Sequence, residues 1–221
     1  MKTACINAMA VRGLLLHAAT RIEAAEAELN GFDSAIGDGD HGITMRLGFQ
    51  AMRRRLSELP EGMAIGQVLR EAGKAFMGST GGAIGVLLGR ALINAGAAIP
   101  EAQDVGPDEL KKVFGAMERA VAETGKAKPG DKTMLDPLHA INEVLSGSDG
   151  DVCELLSIAA QVAQTAARGT ANMVCRLGRA SRLGDRVLGH PDPGAMSFAL
   201  IVAAFAEQAR SLSQSTQVAH I

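Results

Sequence analysis

The chain has neither tryptophan nor tyrosine, and only 6 phenylalanines among its 221 residues. Alanine, leucine and glycine must therefore supply its packing, which points to closely packed helices rather than aromatic-rich sheets. An excess of one charge is also missing. Lys and Arg number 22 against 24 Asp and Glu, for a formal net charge of −2, so no basic field exists to hold nucleic acid. Cys5, Cys153 and Cys175 are odd in number, widely spaced and without a C-x-x-C pair. They read as small core residues of a reducing compartment, not as a disulfide framework or metal site. The most apolar run, Ala195 to Ala206, is 12 residues long, too short to span a bilayer. No basic segment followed by an apolar one opens the chain, so no secretory signal is expected. The expectation is a soluble cytoplasmic protein with neither nucleic-acid nor membrane partners.

What is present is helix. Hydrophobic residues make up 47% of the chain. Leu15, Ala18, Ile22, Ala25 and Leu29 keep one face apolar, which predicts one long helix from about Thr3 to Asn30, closed by an Asn30-Gly31 C-cap signal. A second helix should run from Ile43 to about Leu56. Ile65, Val68, Leu69, Ala72 and Phe76 mark a third, and a fourth covers roughly Ala83 to Ala97. Pro107 opens a fifth that reaches about Thr124. Thr133 can N-cap a sixth to about Leu145. A seventh runs from Val152 to about Ala171, with a continuation to Leu177 open. A long polar segment, Gly178 to Gly194, precedes the last helix, about Ala195 to Arg210, and a frayed Ser/Gln-rich end. No convincing strand, internal repeat or dividing linker is visible. These residues predict a single all-α domain over 1–221, an antiparallel bundle or barrel of about eight helices.

One stretch conflicts with simple helix packing: Asp33-Ser34-Ala35-Ile36-Gly37-Asp38-Gly39-Asp40-His41-Gly42-Ile43-Thr44-Met45. Clustered carboxylates repel one another unless something cationic sits among them. Three known motifs fail here. Gly37 to Gly42 spells G-x-G-x-x-G but follows a helix instead of a strand. Ile43 stands where a P-loop needs Lys. An EF-hand read from Asp38 has Ile43 in place of its glycine and Phe49 in place of its final acid. A chemical reading survives: Asp33, Asp38 and Asp40 as oxygen ligands for one or two Mg²⁺ ions, which would in turn attract a polyphosphate. The backbone N–H groups of His41 to Thr44, at a helix start, are then expected to face phosphate oxygens. The competing reading is a helix cap at Asp33 and a plain turn at Asp38-Gly39.

Other glycine breaks fit the same picture. Ser79 to Gly85 has only small side chains near its glycines, which suits either a ligand or tight helix packing. Gly130-Asp131-Lys132-Thr133-Met134 offers a positive charge and a hydroxyl to a phosphate, or simply a capped helix start. Gly178-Arg179-Ala180-Ser181 and Gly189-His190-Pro191-Asp192-Pro193-Gly194 bring a guanidinium and a rigid turn. By helix count all four segments are odd-to-even connections. In an antiparallel bundle they lie at one end, so they can form one site.

Those four segments, in that order, resemble the nucleotide-binding L subunit, or L domain, of dihydroxyacetone kinases, over nearly the whole chain. The resemblance implies an eight-helix antiparallel barrel with ADP or ATP bound at one rim through two Mg²⁺ ions. Carried over by position, Asp33, Asp38 and Asp40 are the metal ligands, and His41, Gly42, Ile43 and Thr44 line the phosphates. Ala83 and Ile84 touch the nucleotide, while Gly125 and Met134 flank the base. Arg179 and the Asp192-Pro193-Gly194 turn complete the pocket, with Arg179 also neutralising the transferring group. Thr44 stands where many members have Asn, Ile84 and Val86 where Ser and Pro are usual, and Arg182 where an aromatic is common. A related triose or tetrose is therefore also open as the acceptor.

Nothing in the chain is left over to bind an acceptor sugar. The resemblance places dihydroxyacetone on a separate K subunit, which makes this chain half of a kinase. Two modes stay open. ATP reacts and exchanges, or bound ADP is rephosphorylated by a phosphohistidine protein fed from phosphoenolpyruvate. A nucleotide-sensing regulator, the nucleotide module of a fatty-acid kinase, and self-association into a homodimer are open too.

Overall fold

The computed structural model describes residues 5–218. Nine α-helices dominate them: α1 (Ala8–Ala24), α2 (Glu26–Ile36), α3 (His41–Glu58), α4 (Ile65–Ser79), α5 (Gly82–Ala98), α6 (Pro107–Gly125), α7 (Leu135–Ser146), α8 (Val152–Gly169) and α9 (Pro193–Val218). The all-α expectation holds. Eight of them form a closed ring, each of α3 to α9 packed on its neighbours in sequence and α1 set between α9 and α3. Helix α2 lies beside α3 and α9 at the rim.

Four boundaries differ from the sequence expectation. The long first helix is two: α1 stops at Ala25, whose φ of −97° and ψ of 8° break the helical path, and α2 then carries on through Asn30-Gly31 to Ile36. Asn30 does not end its own helix because its side chain serves another one, described below. Helix α8 closes at Gly169 and a short 3-10 turn, Thr170–Asn172, replaces any extension to Leu177. The polar segment after it contains a second 3-10 stretch, Arg179–Val187. Helix α9 runs to Val218, past the expected end at Arg210. One strand pair does exist: β1 (Ile6–Asn7) pairs antiparallel with β2 (Asp104–Val105). The first four and last three residues lie outside the description, as do those parts of the 1–221 domain.

The shortage of aromatics is answered by backbone contact. On α4 and α5, glycines recur at spacing seven, and a Cβ at Gly73 would stand 2.6 Å from the Gly89 carbonyl oxygen. A Cβ at Gly66 would stand 2.5 Å from the Gly96 oxygen. Only glycine lets two helix backbones meet this closely. Phe49 on α3 and Phe76 on α4 supply an edge-to-face pair, centroids 5.5 Å apart, inside the ring. The lumen retains a wholly apolar cavity of about 80 Å³ lined by Leu14, Phe49, Met52, Leu92, Phe114 and Phe198, among others. Among the described residues no helix is long and apolar enough to cross a membrane.

Candidate functional site

The connections α2–α3, α4–α5, α6–α7 and α8–α9 meet at one end of the ring around a cavity of about 790 Å³. Helical parity thus predicted the convergence correctly. Asp33 sits in the last turn of α2, not in a loop. Its Oδ2 accepts the backbone N–H groups of Gly39 (2.9 Å), Asp40 (3.0 Å) and His41 (3.3 Å), which wraps the following turn around the carboxylate. Gly39 takes a φ of +79°, readily available only to glycine in this turn. A Cβ at Gly37 would collide with the Asp33 carboxylate. These glycines hold the chain close to an acid, which a plain turn does not require.

The wrapped turn brings Asp33, Asp38 and Asp40 together, one carboxylate oxygen of each within 4.8 Å of the others. Three hard oxygen donors so close match the ligand set of Mg²⁺. Two of the three face solvent, and Arg179 from the α8–α9 connection forms an ion pair with Asp38. That single guanidinium leaves the cluster with surplus negative charge, so the donors fit a divalent cation.

The N-terminus of α3 corrects a sequence expectation. Asn30 Oδ1 accepts from Gly42 N (2.8 Å) and Ile43 N (3.2 Å), His41 N is held by Asp33, and Thr44 N donates to the Asp40 carbonyl. The amides expected to face phosphates are therefore engaged within the protein. His41 and Thr44 still line the cavity, whereas Gly42 and Ile43 do not. A Cβ at Gly42 would strike the Glu26 carbonyl, so this glycine serves packing of α3 on α2. His41 Nε2 lies 3.0 Å from Ser197 Oγ on α9. Desolvation lowers its pKa to about 4, against an opposing pull from Asp33 and a backbone bond to Pro193. It is a neutral ring at pH 7, tying the Asp-rich turn to the start of α9.

Asp192, Pro193 and Gly194 form the cavity's far side. Asp192 Oδ1 caps α9 by accepting from Ala195 N (2.7 Å), and its own N–H donates to Thr170 Oγ1 (2.8 Å). Desolvation raises the Asp192 carboxyl to about 7; Asp136 and Asp33 push the same way, and the Ala195 bond and Lys132 oppose them. Helix α7 starts at Leu135 with Met134 at its N-cap; Thr133 Oγ1 accepts from Leu135 N (3.1 Å), and Thr133 lines the cavity. Lys132 departs from the phosphate reading. It is 1% exposed, and its ammonium donates to the carbonyls of Thr170, Val187 and His190.

The remaining wall is apolar. Ala83, Ile84, Gly125 and Met134 line it, joined by Leu87 and Val121. Gly82 takes a φ of +71° at the mouth of α5, and a Cβ there would meet open space. Helix crowding therefore does not explain this glycine. The hydroxyls of Ser79 and Thr80 turn back to the Phe76 carbonyl, and Ile84 offers no side-chain donor where a Ser would. Sequence reasoning missed Asn30 and Ser197 because each acts on a segment distant in the chain.

This geometry has close relatives. The model of the DAK2 domain matches residues 35–207. A Listeria innocua protein named "PEP-dependent dihydroxyacetone kinase 2, ADP-binding subunit DhaL" is 38% identical over 80% of this chain and 83% of its own. The Escherichia coli K12 protein named as the ADP-binding subunit DhaL of the corresponding kinase is 40% identical over 76% of this chain and 81% of its own. The crystal structure of the C. freundii dihydroxyacetone kinase in complex with AMP-PNP and Mg²⁺ superposes with a TM-score of 0.68 at 25% identity. That match covers 94% of this chain but 35% of the C. freundii chain. By family model, sequence and fold alike, the chain belongs to the DAK2 domain family, together with the L subunits of dihydroxyacetone kinases.

Proposed function

We propose that this chain is the ADP-binding subunit of a dihydroxyacetone kinase, passing a phosphoryl group from a magnesium–nucleotide to a ketose held by a separate K subunit. The observation that carries the reading is the Asp33, Asp38 and Asp40 cluster at the mouth of a cavity large enough for a nucleotide. Asp33, Asp38 and Asp40 would hold Mg²⁺, two ions in the fullest form of the proposal. Bound magnesium supplies positive charge against the phosphate oxygens. The protein's own contribution is position and electrostatics. Asp33 shapes the turn through its three amide bonds, leaving its other oxygen available. The Arg179 guanidinium, now against Asp38, is placed to meet negative charge on a transferring group when that carboxylate turns to a cation. Neutral His41 orients the turn and adds no charge of its own. The aliphatic wall of Leu87, Val121 and Met134 suits the faces of a nucleobase.

The relatives of similar length are named as ADP-binding subunits of phosphoenolpyruvate-dependent enzymes, which favours resident ADP recharged by a phosphohistidine protein over exchanging ATP. Calorimetry with Mg-ADP tests the site. Wild type is expected to bind, and Asp38→Ala and Asp40→Ala are expected to lose binding while keeping their helical circular dichroism. Undiminished affinity in both variants would refute the assignment.

A further inference from the structure

Lys132 has no role in the mechanism above, yet it is among the largest fully buried side chains of the protein. Its backbone holds a φ of +63°, a left-handed conformation that a side chain of this size rarely adopts. Its ammonium has three N–H donors, and three backbone carbonyls receive them: Thr170 at 2.7 Å, Val187 at 3.0 Å and His190 at 2.6 Å. Burial pulls the ammonium's pKa down, and Asp192 nearby opposes that shift.

Those three carbonyls have a shared meaning. They stand at the two ends of the segment that leaves α8 and returns to α9, and Arg179 is carried between them. The same base is closed by Gly189 N donating to the Ala171 carbonyl (2.9 Å) and by Arg176 N donating to the Asp131 carbonyl (3.3 Å). Inside the segment, Cys175 and Val187 form a small buried cluster with Ile36 of α2, the helix that bears Asp33. The segment thus has its own core, seated against the metal-site helix and anchored from below by one ammonium.

We propose that Lys132 is a positioning residue that fastens the base of the 171–190 segment and so sets where Arg179 stands relative to Asp38. The inference rests on the nucleotide-site reading for its functional consequence. Converging carbonyl dipoles repel one another without a cation among them. Lysine suits the place because its three donors diverge from one compact nitrogen, whereas arginine presents a planar fork. The residue acts from the α6–α7 loop on the α8–α9 connection, so the two loops move as one body.

Lys132→Met removes the ammonium and keeps the stem. Hydrogen exchange followed by mass spectrometry is expected to show faster exchange confined to 171–190, with α3 to α6 unchanged. Mg-ADP affinity is expected to fall about tenfold in Lys132→Met and in Arg179→Ala. The double variant is expected to bind no more weakly than the weaker single one, because both changes disable the same guanidinium. Multiplying losses, or exchange in 171–190 identical to wild type, would overturn the inference. If Lys132→Met does not fold, Lys132→Gln retains two donors and serves in the same cycle. If wild type itself fails to bind Mg-ADP, the nucleotide reading falls, while the exchange experiment still decides the role of Lys132.

Discussion

Removing the side chain of Asn30 separates two accounts of the α3 N-terminus. One has its amides awaiting phosphate. In the structure they are held by Asn30 Oδ1, at 2.8 Å from Gly42 N and 3.2 Å from Ile43 N. Asn30→Ala deletes both acceptor contacts. A lost helix cap costs about 0.5–2 kcal/mol, consistent with roughly 0.5–1.5 kcal/mol net for each hydrogen bond. Position 30 lies inside α2, where alanine is the better helix former by about half a kcal/mol. The net expectation is a destabilisation of about 1 kcal/mol, or roughly 2–4 °C in Tm for a domain of this size. Urea denaturation followed by circular dichroism, in buffer with chelator so that no metal contributes, measures it directly. Asn30→Asp keeps an acceptor in place and is expected to fall between wild type and the alanine variant. Calorimetry with Mg-ADP then reads function. The loosened start of α3 should weaken binding, because Asp40 and His41 belong to the same turn. An unchanged urea midpoint together with tighter nucleotide binding would refute the account, since it would mean the amides were free for phosphate all along.

Two further outcomes follow from packing and from linkage. A Cβ at Gly48 would run into the ring of Phe76, which is fully buried, so Gly48→Ala is expected to lower stability by about 1–3 kcal/mol; a urea midpoint equal to wild type would contradict the tight α3–α4 contact. Asp192 titrates near about 7 when folded, against 3.8 for an ordinary aspartate. Between those values the folded chain keeps a proton that the unfolded chain has released, so this group makes stability fall as pH rises. Asp192→Asn removes that dependence, and its urea midpoint relative to wild type is expected to climb from pH 5 to pH 7. A difference that stays constant across that range would exclude a raised Asp192.

Much of the molecule was legible in the chain itself. The lack of Trp and Tyr, with Ala, Leu and Gly at helical spacing, pointed to an all-α domain with bundle or barrel left open, and small residues permit the α4–α5 approach that Gly66, Gly73, Gly89 and Gly96 make. Spacing put Asp33, Asp38 and Asp40 in one short stretch, and the turn wrapped around Asp33 by the amides of Gly39, Asp40 and His41 brought their carboxylates together. Helix parity placed the four glycine breaks at one end. What sequence could not decide was where a polar side chain turns. Asn30-Gly31 carries every mark of a C-cap, but α2 continues because Asn30 finds two donors on α3. Lys132 carries the charge of a phosphate ligand, but its ammonium is claimed by carbonyls 38, 55 and 58 residues away. Local sequence determines which turns form and which residues cluster at short range. The partner of a long side chain is chosen by whichever unsatisfied backbone group the folded ring brings nearest, and only the tertiary structure supplies that choice.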